Sequence, residues 1–213
     1  MLNGQFSLPI EIDLAATFLF GLTGALAAMR RGYDWIGLFA LGFATAVGGG
    51  LLRDGIFISQ GPPAVTKDSR YIIMVAASAV LGPLFRSQVI RFTQLIAWLD
   101  ALGLGAYAVV GILKSLNSGL SVAAAVLVGV VNAVGGSVLR DVLVREEPLL
   151  FKPGQFYALA AIAGSLLFVL LAIQLQVEVL RAALISIGTT FAMRVLAIRF
   201  NWTTKPVGEQ RLS

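Results

Sequence analysis

A chain with no cysteine and no histidine lacks the commonest biological metal ligands and the commonest general base, and this chain of 213 residues has neither. Disulfides, thiolate metal sites and cysteine nucleophiles are excluded, and zinc, copper or haem would lack their usual donors. Charge is scarce too, with Asp, Glu, Lys and Arg at 13% of residues. The remaining Asp, Glu, Lys and Tyr form no catalytic constellation along the sequence, so neither an enzyme nor a cofactor is expected. Apolar residues are abundant instead: 58% of the chain is hydrophobic and mean hydropathy is +0.88. Lipid is therefore the solvent for most of it.

Crossing roughly 30 Å of hydrocarbon takes about 20 apolar residues. Such stretches lie near residues 10–29, 35–58, 71–86, 94–114, 120–144, 156–174 and 179–198, the third being short and carrying Pro83. The expected fold class is an all-α integral membrane protein with seven transmembrane helices. The first span has no basic region before it and no small-residue cleavage pattern after it, and it reads as a retained helix. Of the sixteen Lys and Arg residues, ten (Arg30, Arg31, Arg86, Arg91, Arg145, Lys152, Arg194, Arg199, Lys205, Arg211) fall on one side of this scheme and four (Lys67, Arg70, Lys114, Arg181) on the other. The positive-inside rule puts the N-terminus outside and the C-terminus in the cytoplasm, as expected for a multi-pass protein of a prokaryotic cell membrane. The net charge of +5 follows from that topology and from contact with anionic lipid, so no nucleic-acid partner is implied.

An internal duplication is the strongest signal. Displacing the sequence by 87 residues aligns Ala46 to Asp54 with Ala133 to Asp141, and seven of these nine positions are identical. The same offset pairs Asp13 with Asp100, Gly24 with Gly111, Gly32 with Gly119 and Gly42 with Gly129. Three spans per copy is an odd number, so the second copy enters the membrane upside down, the inverted-repeat architecture of transporters and some channels. The division read from this is one transmembrane domain, 1–213: a first repeat over 1–91, an inverted second repeat over 92–175, and a seventh helix with a cytoplasmic tail over 176–213.

Two motifs recur in both copies. The runs Gly48, Gly49, Gly50 and Gly135, Gly136, Ser137 fall beside the midpoints of the second and fifth spans, with Thr45 and Asn132 one turn earlier. Close helix packing is one reading. The other is a break in each helix that opens backbone carbonyls toward a polar path, and matching breaks in inverted halves favour a permeation site. The second motif is an Arg-Asp pair, Arg53-Asp54 and Arg140-Asp141. Charges this deep need partners, and neighbours on a helix point about 100° apart, so partners are expected from other helices. Depth matching suggests Asp13 with Arg53 and Asp100 with Arg140, either as structural ion pairs or in contact with a permeant species, with Asp13 alternatively a helix cap. The prolines Pro62, Pro63, Pro148 and Pro153 mark turns. Tyr33, Trp35, Trp98, Tyr107 and Trp202 are read mostly as interfacial belt residues, and Gly103, Gly105, Gly111, Gly164 and Gly188 as packing positions.

At the doubled Gly-Gly-(Gly/Ser)-x-x-Arg-Asp, with Asp100-Ala101-Leu102-Gly103-Leu104 opening the fourth span, the chain resembles prokaryotic members of the TRIC family of trimeric intracellular cation channels. The bacterial branch also carries the label of putative glycine transporter. The resemblance implies a seven-helix protomer, a homotrimer, and within each protomer a potassium-permeable pore lined by kinked second and fifth helices. Family roles carry over to Gly48, Gly49, Gly50, Gly135, Gly136 and their polar flanks. Ser137 departs from the third glycine, and the Lys-Glu-Val tripeptide with which animal members contact phosphoinositide is missing.

The leading function is thus a monovalent cation channel, with potassium or sodium ions and membrane lipid as partners and no metal site beyond the permeant ion. Few acidic residues are needed for it, because carbonyls coordinate potassium. A secondary transporter of a small zwitterion such as glycine is the alternative, since inverted repeats with broken helices serve alternating access equally well.

Overall fold

The computed structural model describes residues 9–84, 93–152 and 156–202. Met1, Arg86, Arg91, Pro153, Lys205, Arg211 and Ser213, used in the orientation and turn arguments, lie outside them. Regular structure among the described residues is helical throughout, with no strand. Seven apolar helices follow one another: α1 Ile10–Arg30, α2 Trp35–Leu52, α3 Ser69–Leu84, α4 Thr93–Asn117, α5 Val122–Leu143, α6 Tyr157–Val169 and α7 Val179–Arg199. Counting the π turns Arg53–Ile58 after α2 and Leu170–Gln174 after α6, six are long and apolar enough to cross a membrane, and α3 is a shorter apolar helix. Pro83 sits inside α3, where it has no N–H to donate to the helix ladder.

Equivalent residues start equivalent helices. Asp34 caps α2 by accepting from Gly37 N at 2.8 Å, and Ser121 caps α5 by accepting from Ala124 N at 3.3 Å. Just before these caps the chain turns through Gly32 (φ +73) and Gly119 (φ +83), a left-handed conformation that strains any residue with a Cβ. Asp13 is not a cap. The residue before α1 is Pro9, and Asp13, in the first turn, makes no capping bond.

α1 packs against α2 and α3, α4 against α5 and α7, and α2 crosses α5. The largest buried cluster joins α1, α4, α5, α6 and α7 around Phe20, Leu104, Tyr107, Val109, Ile112 and Phe168. Phe20 and Tyr107 stack at its centre with ring centroids 5.0 Å apart. Tyr107 is therefore a core residue and not the belt residue expected from its aromatic type, whereas Tyr33, Trp35, Trp98 and Trp202 are exposed.

The glycine runs do not break their helices. α2 is helical through Gly48, Gly49 and Gly50, and α5 through Gly135, Gly136 and Ser137. In lipid an unpaired peptide group costs several kcal/mol, which outweighs the roughly 1 kcal/mol that each glycine loses against alanine in a helix. The ladder persists, and the missing side chains let the backbones meet. A Cβ on Gly49 would overlap the Asn132 carbonyl, and a Cβ on Gly136 would overlap the Thr45 carbonyl. The two contacts are reciprocal, glycine of one helix on carbonyl of the other. The π turn at Arg53–Ile58 has no counterpart in α5.

Four of the five outlying glycines are packing positions. A Cβ would strike the Phe20 ring from Gly103, the Ile187 backbone from Gly105, Gly129 from Gly111 and the Thr190 hydroxyl from Gly164. Nothing in the chain lies within 4 Å of where a Cβ on Gly188 would sit, so no contact within the protomer accounts for that glycine. Arg194, counted above with loop cations, is 2% exposed inside the bundle, its guanidinium 4.7 Å from the centre of the Tyr157 ring.

Candidate functional site

Two polar cavities enter the bundle from opposite ends. The first, narrow at about 20 Å³, is lined by Asp13, Thr17, Gly50, Arg53, Asp54, Tyr71, Tyr107 and Lys114 among others. It shares Asp13, Ala64, Tyr71 and Lys114 with a wider recess of about 400 Å³. The second, about 310 Å³, is lined by Thr23, Ala27, Arg30, Arg31, Asp100, Arg140, Asp141, Glu146 and Arg194, with Ala97, Val144 and Leu149. At 1.5 Å rise per residue, α1 carries the chain roughly 25 Å from Asp13 in the first to Arg30 in the second. We call them the Lys114 cavity and the Arg194 cavity.

The π turn that begins at Arg53 puts a buried guanidinium at the inner wall of the Lys114 cavity. Arg53 donates from Nε to Asp54 Oδ1 at 2.6 Å, from Nη2 to Asp54 Oδ2 at 2.9 Å and from Nη1 to Asn132 Oδ1 at 3.1 Å. Asp13 Oδ2 accepts from the Tyr71 hydroxyl at 2.6 Å and from Lys114 Nζ at 2.8 Å. The expected Asp13–Arg53 clamp is thus replaced by two others, Arg53–Asp54 and Lys114–Asp13. The expectation that adjacent Arg and Asp residues diverge fails because it considers Cα–Cβ directions alone. The arginine stem is long enough to turn its fork back onto the next residue, giving a bidentate pair.

In the Arg194 cavity the expected Asp100–Arg140 contact is present but long, Nη1 to Oδ1 at 3.5 Å. Arg140 is held more closely by its own neighbour, with Nε and Nη2 each 2.9 Å from Asp141 Oδ1, and Nη1 reaches the Thr23 hydroxyl at 3.3 Å. Asp54 and Asp141 share a second task. Asp54 Oδ2 accepts from Ala64 N at 3.1 Å and Asp141 Oδ2 from Leu149 N at 3.4 Å, so each ties down the loop that follows its helix. Removing one member of such a buried pair strands the other charge, which costs about 3 to 5 kcal/mol.

Between the cavities lies the α2–α5 crossing. Asn132 donates from Nδ2 to the Tyr107 carbonyl at 2.6 Å while holding Arg53, and the Tyr107 hydroxyl donates to the Ala46 carbonyl at 2.6 Å. Thr45 bonds back to the Leu41 carbonyl at 2.6 Å, and Ser137 Oγ donates to the Val134 carbonyl and lies 2.8 Å from the Tyr157 hydroxyl. Gly50 alone of the glycine runs lines a cavity; Gly48, Gly49, Gly135 and Gly136 occupy the crossing. At the rim of the wide recess, outside the spans, the Arg70 guanidinium on Asp68 (2.7 Å) holds that carboxyl below the usual carboxylate range. Among the described residues no group of three or more Asp or Glu side chains converges to hold a metal ion.

Residue-type reasoning missed Thr17, Thr23, Tyr71, Lys114, Tyr157 and the buried role of Arg194. For Tyr107 a signal existed: it stands in the middle of the fourth span, too deep for a belt residue. The others join the site through contacts between segments far apart in the chain.

Comparison with known proteins gives a consistent result. The family model described as "Glycine transporter" matches twice, over residues 11–87 and 97–173. The chain is 35% identical to a UPF0126 membrane protein of Deinococcus radiodurans, over 72% of each chain. It is 31% identical to the UPF0126 inner membrane protein YadS of Escherichia coli, over 89% of this chain and 91% of that one. Among solved structures it is similar to the TRIC trimeric intracellular cation channel orthologue from Rhodobacter sphaeroides, with a TM-score of 0.84 and 29% identity over 90% of this chain and 97% of that one.

Proposed function

This multi-pass membrane protein belongs to the family of the glycine-transporter model, the bacterial TRIC family, and from that premise we propose that it is a potassium-permeable cation channel with a pore in each protomer. One observation carries the reading: the Lys114 cavity takes Asp13 and Thr17 of α1 and the Arg194 cavity Thr23 and Arg30, so the two enter from opposite ends of the bundle, with the α2–α5 crossing and the Phe20–Tyr107 stack between them. The pore runs beside that crossing, where Gly48 to Gly50 and Gly135 to Ser137 present no large side chain and Thr45 and Asn132 flank the path. Because both helices keep their ladders, the polar groups available to a dehydrating ion are side chains and the cavity-facing Gly50 region, not a row of freed carbonyls.

The architecture proposed with it is seven spans in two inverted halves, 1–91 and 92–175, with 176–213 as the seventh span and tail. The double family match and the reciprocal glycine–carbonyl contacts support the duplication. The 16 described residues of α3, Ser69–Leu84, account for about 24 Å of the third span at 1.5 Å per residue. The N-terminus is assigned outside and the C-terminus to the cytoplasm, and moving Arg194 from loop to core leaves the excess of basic residues on the same side. Three protomers assemble, as in the trimeric relatives whose fold it shares.

Single-channel recording in planar bilayers tests the function. Unitary potassium currents above about 10⁶ ions per second are the expected result, being beyond turnover numbers typical of catalysis and transport cycles. Uptake of labelled glycine without unitary currents would replace the channel with the carrier that the family's description suggests.

A further inference from the structure

One difference between the two halves concerns a single atom. Asp13 and Asp100 stand at equivalent places in the duplication, yet Asp13 Oδ2 accepts from both Tyr71 and Lys114, whereas Asp100 Oδ2 is buried and accepts no hydrogen bond from the described residues. The reason lies in the sequence at the matching positions. Eighty-seven residues before Lys114 is Ala27, which lines the Arg194 cavity but has no amino group to offer. Tyr157, one residue before the position 87 after Tyr71, bonds Ser137 instead. Asp100 is only 4% exposed, and a buried carboxylate oxygen left without a donor is costly.

We propose that Asp100 anchors a binding site for a compact monovalent cation in the Arg194 cavity, at the place corresponding to the ammonium that Lys114 presents to Asp13. The inference rests on the cation-channel reading for its choice of potassium as the ion; the geometry itself requires only a small positive group. Arg140 does not fill the role, because its fork is committed to Asp141 and reaches Asp100 Oδ1 only at 3.5 Å. Arg31 is paired with Glu146, and Arg194 is stacked on Tyr157. An anion at this oxygen would meet the Asp100 carboxylate directly and is disfavoured there. The cavity, about 310 Å³, has room for an ion retaining several waters at about 30 Å³ each.

The test is thermal unfolding of the purified protein in detergent, with potassium exchanged for N-methyl-D-glucamine at constant ionic strength and methylammonium titrated in parallel. A saturable rise in the unfolding temperature of about 3 to 6 °C is expected at ten times the dissociation constant. Asp100→Asn should abolish it. Ala27→Lys, which supplies a tethered ammonium like that of Lys114, should abolish it too while raising the unfolding temperature in the absence of potassium. A wild-type chain with no saturable rise, or an Ala27→Lys protein that keeps it, overturns the site, and the second variant decides the matter where Asp100→Asn does not fold. Saturable stabilisation through Asp100 without unitary currents leaves the site standing and removes the channel; currents without it remove the site alone.

Discussion

At Gly49 and Gly50, neighbours in one helix, the same substitution has different consequences. A Cβ on Gly49 meets the Asn132 carbonyl and neighbouring backbone, which cannot move aside without separating α2 from α5; a Cβ on Gly50 meets only the far end of the Arg53 side chain at 3.7 Å. Gly49→Ala should therefore destabilise by about 1 to 3 kcal/mol or more, and Gly136→Ala likewise, while Gly50→Ala, which creates no clash, should be neutral or stabilising by up to about 1 kcal/mol, the gain of alanine over glycine in a helix. Denaturant titration of the purified protein checks this, and equal losses at Gly49 and Gly50 would refute the backbone-contact account of the crossing. The charges give a second prediction. A double-mutant cycle on Arg53 and Asp54 should show coupling above about 1 kcal/mol, and one on Arg53 and Asp13, which share a cavity but no hydrogen bond, should show less. Coupling in the second cycle and none in the first would restore the Asp13–Arg53 clamp.

At the scale of elements, Asp54 and Asp141 connect helix ends to the loops that follow them. Asp141→Asn weakens the acceptor at Leu149 N, where the 3.4 Å bond is already long. Amide exchange at Leu149 should quicken by about tenfold, the effect of losing about 1.4 kcal/mol of local protection, with exchange in the middle of α5 unchanged. Uniform acceleration along α5 would mean that Asp141 supports the helix and not the loop. The element boundaries themselves were legible beforehand. Apolar run length and the turn glycines Gly32 and Gly119 place the described ends of the seven apolar helices within a few residues, because a bilayer accepts little else than helix in such runs. The π turn at Arg53–Ile58 was not legible, since nothing in Arg-Asp-Gly-Ile-Phe-Ile distinguishes a widened turn from a regular one.

At the scale of the whole molecule, the orientation and the assembly are open to direct measurement. Reporter fusions after α7 should be active only on the cytoplasmic side, and activity on the outer face would invert the topology. Light scattering with detergent subtracted should give three times the mass of the 22.5 kDa chain; a monomer would separate this protein from its trimeric relatives. The candidate site was half legible at this scale. Duplication marked both Arg-Asp pairs, both aspartates and both glycine runs, and the structure brings all of them to two cavities and the crossing between. The partners that complete them, Tyr71 and Lys114 for Asp13 and Tyr107 for Asn132, come from segments 25 to 101 residues away.

The amino-acid sequence by itself determined the membrane setting, the helical class and the duplication, because each depends on composition or on periodicity within one segment. Which charges pair, whether glycine opens a helix or seats another helix against it, and which of two equivalent aspartates keeps an oxygen without a donor were decided only by the tertiary structure. Those outcomes depend on how far a side chain reaches once its helix has been packed, and on the choice between a helix's own hydrogen bonds and everything outside it, which in lipid the helix wins.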